Sequence, residues 1–169
     1  MSAAMLLDFD RSVVWFGASC LEVQWGKGGQ RGAVRPVFFA RTSGGERLVF
    51  VHPWAPGLAG AYEEEAVRRA AADAHWTVKT VQVPQGMRRD SLSRAAHYRN
   101  PQYAEPQARQ ALLKAFDQPR PLAAGAAASK APGALSCTWH LLWTGELAAD
   151  WQRPLTPASM VWTHPKDKE

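Results

Sequence analysis

Two apolar runs, residues 34–41 and 48–53, flank the short sequence Thr42-Ser43-Gly44-Gly45 and constrain the fold more than any other feature. Valine and phenylalanine crowd both runs, so each predicts a strand, and the Gly-Gly connection predicts a tight hairpin. Residues 58–75 then predict a helix. Glu64 with Arg68 and Glu65 with Arg69 are i,i+4 pairs opposite a face of Val67, Ala70, Ala71 and Ala74. Residues 76–83 follow as a further strand closed by Pro84. A helix between two strands returns the chain to the sheet in its original direction, so this order predicts an α/β fold with a parallel pair at the crossover.

Upstream, Asp8 or Asp10 is placed to cap a turn before Val13-Val14-Trp15-Phe16. Leu21, Val23 and Trp25 alternate with Glu22 and Gln24, as in a strand with one wet face. Residues 26–32, rich in glycine, predict a hairpin loop. They lack the GK[ST] ending and the following helix that a phosphate cradle needs. Downstream, a helix is predicted from near Asp90 or Ser91, and a short amphipathic one over 105–116 with Ala108, Leu112 and Phe116 on one face. Residues 119–133, rich in Ala, Gly and Pro with nothing large to bury, predict a linker. The domain reading is therefore 1–118, a linker 119–133, and a small C-terminal helix-plus-strand module over 134–169. In that module Leu135, Trp139 and Leu142 form a helical stripe, Gly145 ends the helix, and 146–151 with 160–162 make two short strands.

The formal net charge of +5 comes mostly from residues 1–103, which hold 13 Lys and Arg against 9 Asp and Glu. That excess admits a nucleic-acid partner. Lys27, Arg31, Arg35 and Arg41 follow one another with no acid between residues 26 and 41. Alternation would place Arg35 and Arg41 on one side of a strand, facing a phosphate backbone or guarding a strand edge. Arg88, Arg89, Arg94 and Arg99 form the densest basic segment, with His97, Tyr98 and Tyr103 beside it for stacking. The run Glu63-Glu64-Glu65 suggests a metal cluster, but consecutive helical residues point about 100° apart, so a solvated, salt-bridged face is expected. The only cysteines, Cys20 and Cys137, show no zinc spacing and are read as buried free thiols in a reducing cytoplasm. No run approaches the roughly 18 apolar residues of a membrane span.

In order along the chain, several segments resemble those of the TnsA-type endonucleases, the DNA-cutting subunits of heteromeric transposases. Leu6-Leu7-Asp8-Phe9-Asp10 through Val14 resembles "LLDFDPxV", residues 34–41 resemble "xxPDFFAR", and 48–53 are similar to "VVDVRP". Trp76 with Val83 resembles "GWxYxxV", and Tyr98-Arg99-Asn100-Pro101 resembles "GYRHP". Residues 140–147 with Pro154-Leu155 resemble "HLLWRGELxxDLxxPL". The resemblance implies a restriction-endonuclease-like mixed sheet flanked by helices, with the C-terminal module winged-helix-like. It also implies a divalent-metal site built from three elements. These are a Glu on an N-terminal helix, an Asp after Pro in the first hairpin strand, and an acid or Gln two residues before a Lys or Arg in the second.

This chain departs at each of those positions. It begins close to the LLDFD segment, so the helix carrying the Glu is expected to be missing. Pro36 is followed by Val37. The acid of the second strand falls on Phe50 or Val51, and the basic residue on His52 or Pro53. Apolar side chains offer Mg²⁺ no oxygen. The expected function is thus a degenerate subunit with no cofactor, binding DNA through Lys27, Arg31, Arg35, Arg41, Arg88, Arg89, Arg94 and Arg99. Trp139, Trp143, Trp151 and Trp162 would meet a protein partner such as a transposase subunit, in the cytoplasm or on the nucleoid. One alternative is an active Mg²⁺ endonuclease completed by a partner chain, with Glu22, Glu46 or His52 recruited. Another is an interaction subunit that never touches DNA.

Overall fold

The apolar runs around Thr42–Gly45 fold into the antiparallel hairpin they predict. They do so in a computed structural model that describes residues 3–19, 21–82 and 86–164. Cys20, Val83 and Pro84, read above as a buried thiol, a strand end and its stop, lie outside the described residues. The chain divides into two units, Ser2–Val83 and Pro84–Glu169.

The first unit runs α1 (Ala3–Phe9), β1 (Val13–Ala18), β2 (Val23–Lys27), β3 (Gln30–Val34), β4 (Phe38–Thr42), β5 (Arg47–Val51), α2 (Leu58–Asp73) and β6 (Thr77–Thr80). Its main sheet has the order β1-β4-β5-β6, antiparallel except for the parallel β5–β6 pair that the crossover helix imposes. The result is a mixed sheet flanked by helices. Side chains alternate between its faces: Phe38, Leu48 and Phe50 line a cleft with Leu6 and Leu7 of α1, while Phe39 and Val49 line another with α2. Asp10 ends α1 in a turn, its carboxylate accepting from the backbone and hydroxyl of Ser12 at 2.9 and 2.7 Å. The LLDFD segment is itself mostly helix, and this helix carries no Glu.

Two local expectations change. The loop expected over 26–32 shrinks to Gly28-Gly29, whose φ of 59° and 79° close a two-residue turn, so β2 and β3 pair from Lys27↔Gln30 to Val23↔Val34. Because Val34 ends β3 and β4 starts at Phe38, Arg35 lies in a connection and shares no strand with Arg41.

The second unit contains α3 (Gly86–His97), a 3-10 turn at Pro101–Tyr103, α4 (Pro106–Ala115), β7 (Arg120–Pro121), α5 (Leu122–Ala128), α6 (Ala134–Thr144), β8 (Leu147–Ala149) and β9 (Met160–Thr163). The strands form a small antiparallel sheet in the order β7-β9-β8. Helix α6 is its centre: Cys137 through Trp143 are all buried, so the helix is covered all round and not along one stripe, and Leu135 of the expected stripe is 54% exposed. Gly145, with φ of 66°, ends it as its sequence position suggested.

The boundary expected at 118 falls inside this unit. Thr163 donates its N–H to the Phe116 carbonyl (2.9 Å), Leu155 N–H reaches Ser91 Oγ (2.9 Å), and His140 Nδ1 meets the Tyr98 carbonyl (2.8 Å). The expected linker is also helical over Leu122–Ala128, with Leu122, Gly125 and Ala126 buried. Its small side chains allow close approach: a Cβ on Gly125 would lie 2.1 Å from the Phe116 ring. Small residues marked close packing here, which composition alone does not separate from a linker.

Candidate functional site

At the hairpin, Val37 donates its N–H to the Phe50 carbonyl at 2.7 Å, one step out of the register set by Phe38↔Phe50 and Phe39↔Val49. Val37 is thus held to β5 just ahead of the first β4 pair. Ser19 N–H donates to the Val37 carbonyl (3.1 Å), tying this point to the end of β1. Phe50 lines the α1-side cleft, Val51 is 1% exposed, and His52 stands exposed beyond the strand. No side-chain oxygen for a divalent cation stands at any of these positions, and among the described residues no group of three or more His, Cys, Asp or Glu could hold a metal. The residues present do not fit Mg²⁺.

Of the two acids named as substitutes, one has its carboxylate in an ion pair with a described residue. Glu22 accepts from Arg35 (3.2 Å). Glu46 sits in the turn at the far end of the hairpin, where its N–H donates to Thr42 Oγ1 (3.1 Å). Of the glutamate run, Glu64 pairs with Arg68 as expected (2.7 Å), but Glu65 reaches Lys27 on the β2–β3 ribbon at 2.6 Å instead of Arg69. Hydrogen bonding to Glu65, then its charge, holds the exposed Lys27 ammonium above its ordinary value. Lys27 also lies over the Tyr62 ring, which packs against Trp25. The acid-free run of the sequence is thus not acid-free in space: Lys27 and Arg35 are paired, whereas Arg31 and Arg41 are exposed and form no ion pair with a described residue.

The arginines of 88–99 do not share one face. At about 100° per residue, Arg89 and Arg94 project from well-separated sides of α3, with Asp90 and His97 between them, opposite the buried Ser91, Leu92, Ala95 and Ala96. Arg88 and Arg89 are exposed and unpaired with described residues. Arg94 lies 5.6 Å over the buried Trp139 ring, and Arg99 donates to the Ala96 carbonyl (3.2 Å). Tyr98 and Tyr103 pack edge to face on each other at 5.0 Å, with His97 against Tyr98. The rings expected to stack on a base are largely occupied with each other.

The tryptophans divide as well. Trp139 and Trp143 are 5% and 8% exposed and belong to the core, which removes them as contact residues, while Trp151 and Trp162 are half-buried. Sequence reasoning missed the ion pair of Arg109 with Glu146 (Nε–Oε2 2.7 Å), because 37 residues separate the partners. That hydrogen bond raises the Arg109 pKa. Burial likewise pushes up the thiol of Cys137, a free and buried cysteine. No helix among the described residues is long and apolar enough to cross a membrane. No protein-family model, curated protein or solved structure matches the chain.

Proposed function

We propose that the chain is a TnsA-like subunit that has lost metal-dependent cleavage and serves as a DNA- and partner-binding scaffold in a transposase-type or related mobile-element or defence assembly. The observation that carries this reading is the hairpin: it keeps the Pro36-x-Phe38-Phe39-Ala40-Arg41 frame, while Val37, Phe50 and Val51 stand where metal ligands would. The four-stranded mixed sheet, with α1 and α2 lining its opposite faces, is compatible with a restriction-endonuclease-like domain. Helix α6 followed by the β8–β9 pair is compatible with a winged-helix-like module. The DNA contacts fall to Arg31, Arg88 and Arg89, exposed and without an ion pair to a described residue, and the partner contacts to the half-buried Trp151 and Trp162. Lys27, Arg35 and Arg94, already engaged within the protein, are secondary.

Anisotropy of a labelled DNA duplex titrated with the full chain at rising salt tests the reading. Affinity is expected to fall steeply with salt, and Arg88→Gln/Arg89→Gln to flatten the log–log slope by about 0.9 for each phosphate that the variant leaves unneutralised. Salt-independent affinity, or an unchanged slope in the double variant, refutes the DNA contact. Supercoiled plasmid is expected to stay intact with Mg²⁺ or Mn²⁺. Nicking that disappears in Glu22→Gln or Glu46→Gln refutes the loss of cleavage.

A further inference from the structure

The α2-facing side of the main sheet holds a groove of about 370 Å³, within the range of small-molecule sites. It exists because α2 presents Ala70, Ala71 and Ala74 to a sheet that carries large rings. The alanine methyls leave unfilled the space that longer side chains would occupy. Phe39 and Trp76 form one wall, their rings edge to face at 4.9 Å. Trp15 lies back along β1 over Gly17, where a Cβ would come within 3.2 Å of its indole.

The mouth is unusual in two respects. Trp15 and Leu21 line it while 53% and 59% exposed, so large apolar surfaces stand in water around a concave site. Arg41, the register partner of Trp15 and hence beside it, is the one charged residue of the lining. No acid lines the groove, and Arg41 makes no ion pair or hydrogen bond to a described residue. An unpaired guanidinium at the lip of an aromatic slot matches an anion joined to a flat apolar body, with a fork suited to a carboxylate.

We propose that this groove binds a small planar aromatic carboxylate. Its ring lies between the Phe39–Trp76 wall and the α2 alanines, and its carboxylate accepts from Arg41. This site is separate from the DNA and partner contacts proposed above and does not depend on them.

Calorimetric titration of the full chain with naphthalene-2-carboxylate and with naphthalene-2-carboxamide tests it. The carboxylate is expected to bind about tenfold or more tightly than the amide, as a charge-assisted hydrogen bond requires. Arg41→Gln, at an exposed position, is expected to erase that difference while leaving the circular dichroism unchanged. Ala70→Trp, also at an exposed position, is expected to fill the groove and abolish binding of both probes. Equal affinity for the two probes, no binding of either, undiminished carboxylate affinity in Arg41→Gln, or unaltered binding in Ala70→Trp would each overturn the proposal.

Discussion

His75 holds the left-handed position after α2, with φ of 58°. Around it the helix closes with paired backbone bonds, His75 N–H to the Ala72 carbonyl (3.0 Å) and Trp76 N–H to that of Ala71 (2.7 Å). That pattern favours glycine at the position His75 occupies, because a Cβ is crowded there. The bond from Trp76 also fixes one of the two residues that form the aromatic wall of the groove. His75→Gly is expected to stabilise the chain by about 0.5–1 kcal/mol, relief of the left-handed strain outweighing the added freedom of the unfolded chain. Urea unfolding checks this through a raised midpoint at unchanged slope.

At the scale of elements, what the sequence made legible was what depends on neighbours along the chain. Helix α4 is bounded by its own residues: Glu105 accepts from Ala108 N–H at 2.6 Å, Pro106 starts the first turn, and Phe116 closes the helix. The hairpin and the parallel return through α2 were legible for the same reason. At the candidate site the apolar identity of Val37, Phe50 and Val51 was legible whatever the fold. Its charge pairing was not, because Lys27 meets Glu65 across 38 residues and Arg35 meets Glu22 across 13. Helix α5 is the sharpest case, an Ala-rich stretch whose role depends on Phe116 lying against it. Gly125→Ala separates the two readings by sign. In an exposed helix the change would stabilise by up to about 1 kcal/mol. Against the fully buried Phe116 it is expected to destabilise by about 1–3 kcal/mol, read from thermal or urea unfolding.

At the scale of the molecule, the division at residues 83 and 84 rests on which segments share a core. Phe116, Leu112 and Leu92 are buried to 2% exposure or less, together with Leu141, Leu142, Leu147 and Val161 from the other side of the expected linker. Helix α6, buried around its circumference, needs α3, α4 and α5 to cover it, and neither half of that shell leaves a closed core without the other. A fragment spanning 84–169 is therefore expected to keep its helical circular dichroism and melt cooperatively. A fragment spanning 119–169 would expose Leu141, Leu142 and Trp143 to water and is expected to show no cooperative transition. The opposite result, a 119–169 fragment with a sharp melt, would restore an independent C-terminal module and move the boundary back to 118. Because Arg88 and Arg89 lie on the 84–169 side, the same fragment carries a functional consequence. It is expected to retain the part of the salt-dependent DNA affinity that these two residues supply, measured by anisotropy beside the full chain.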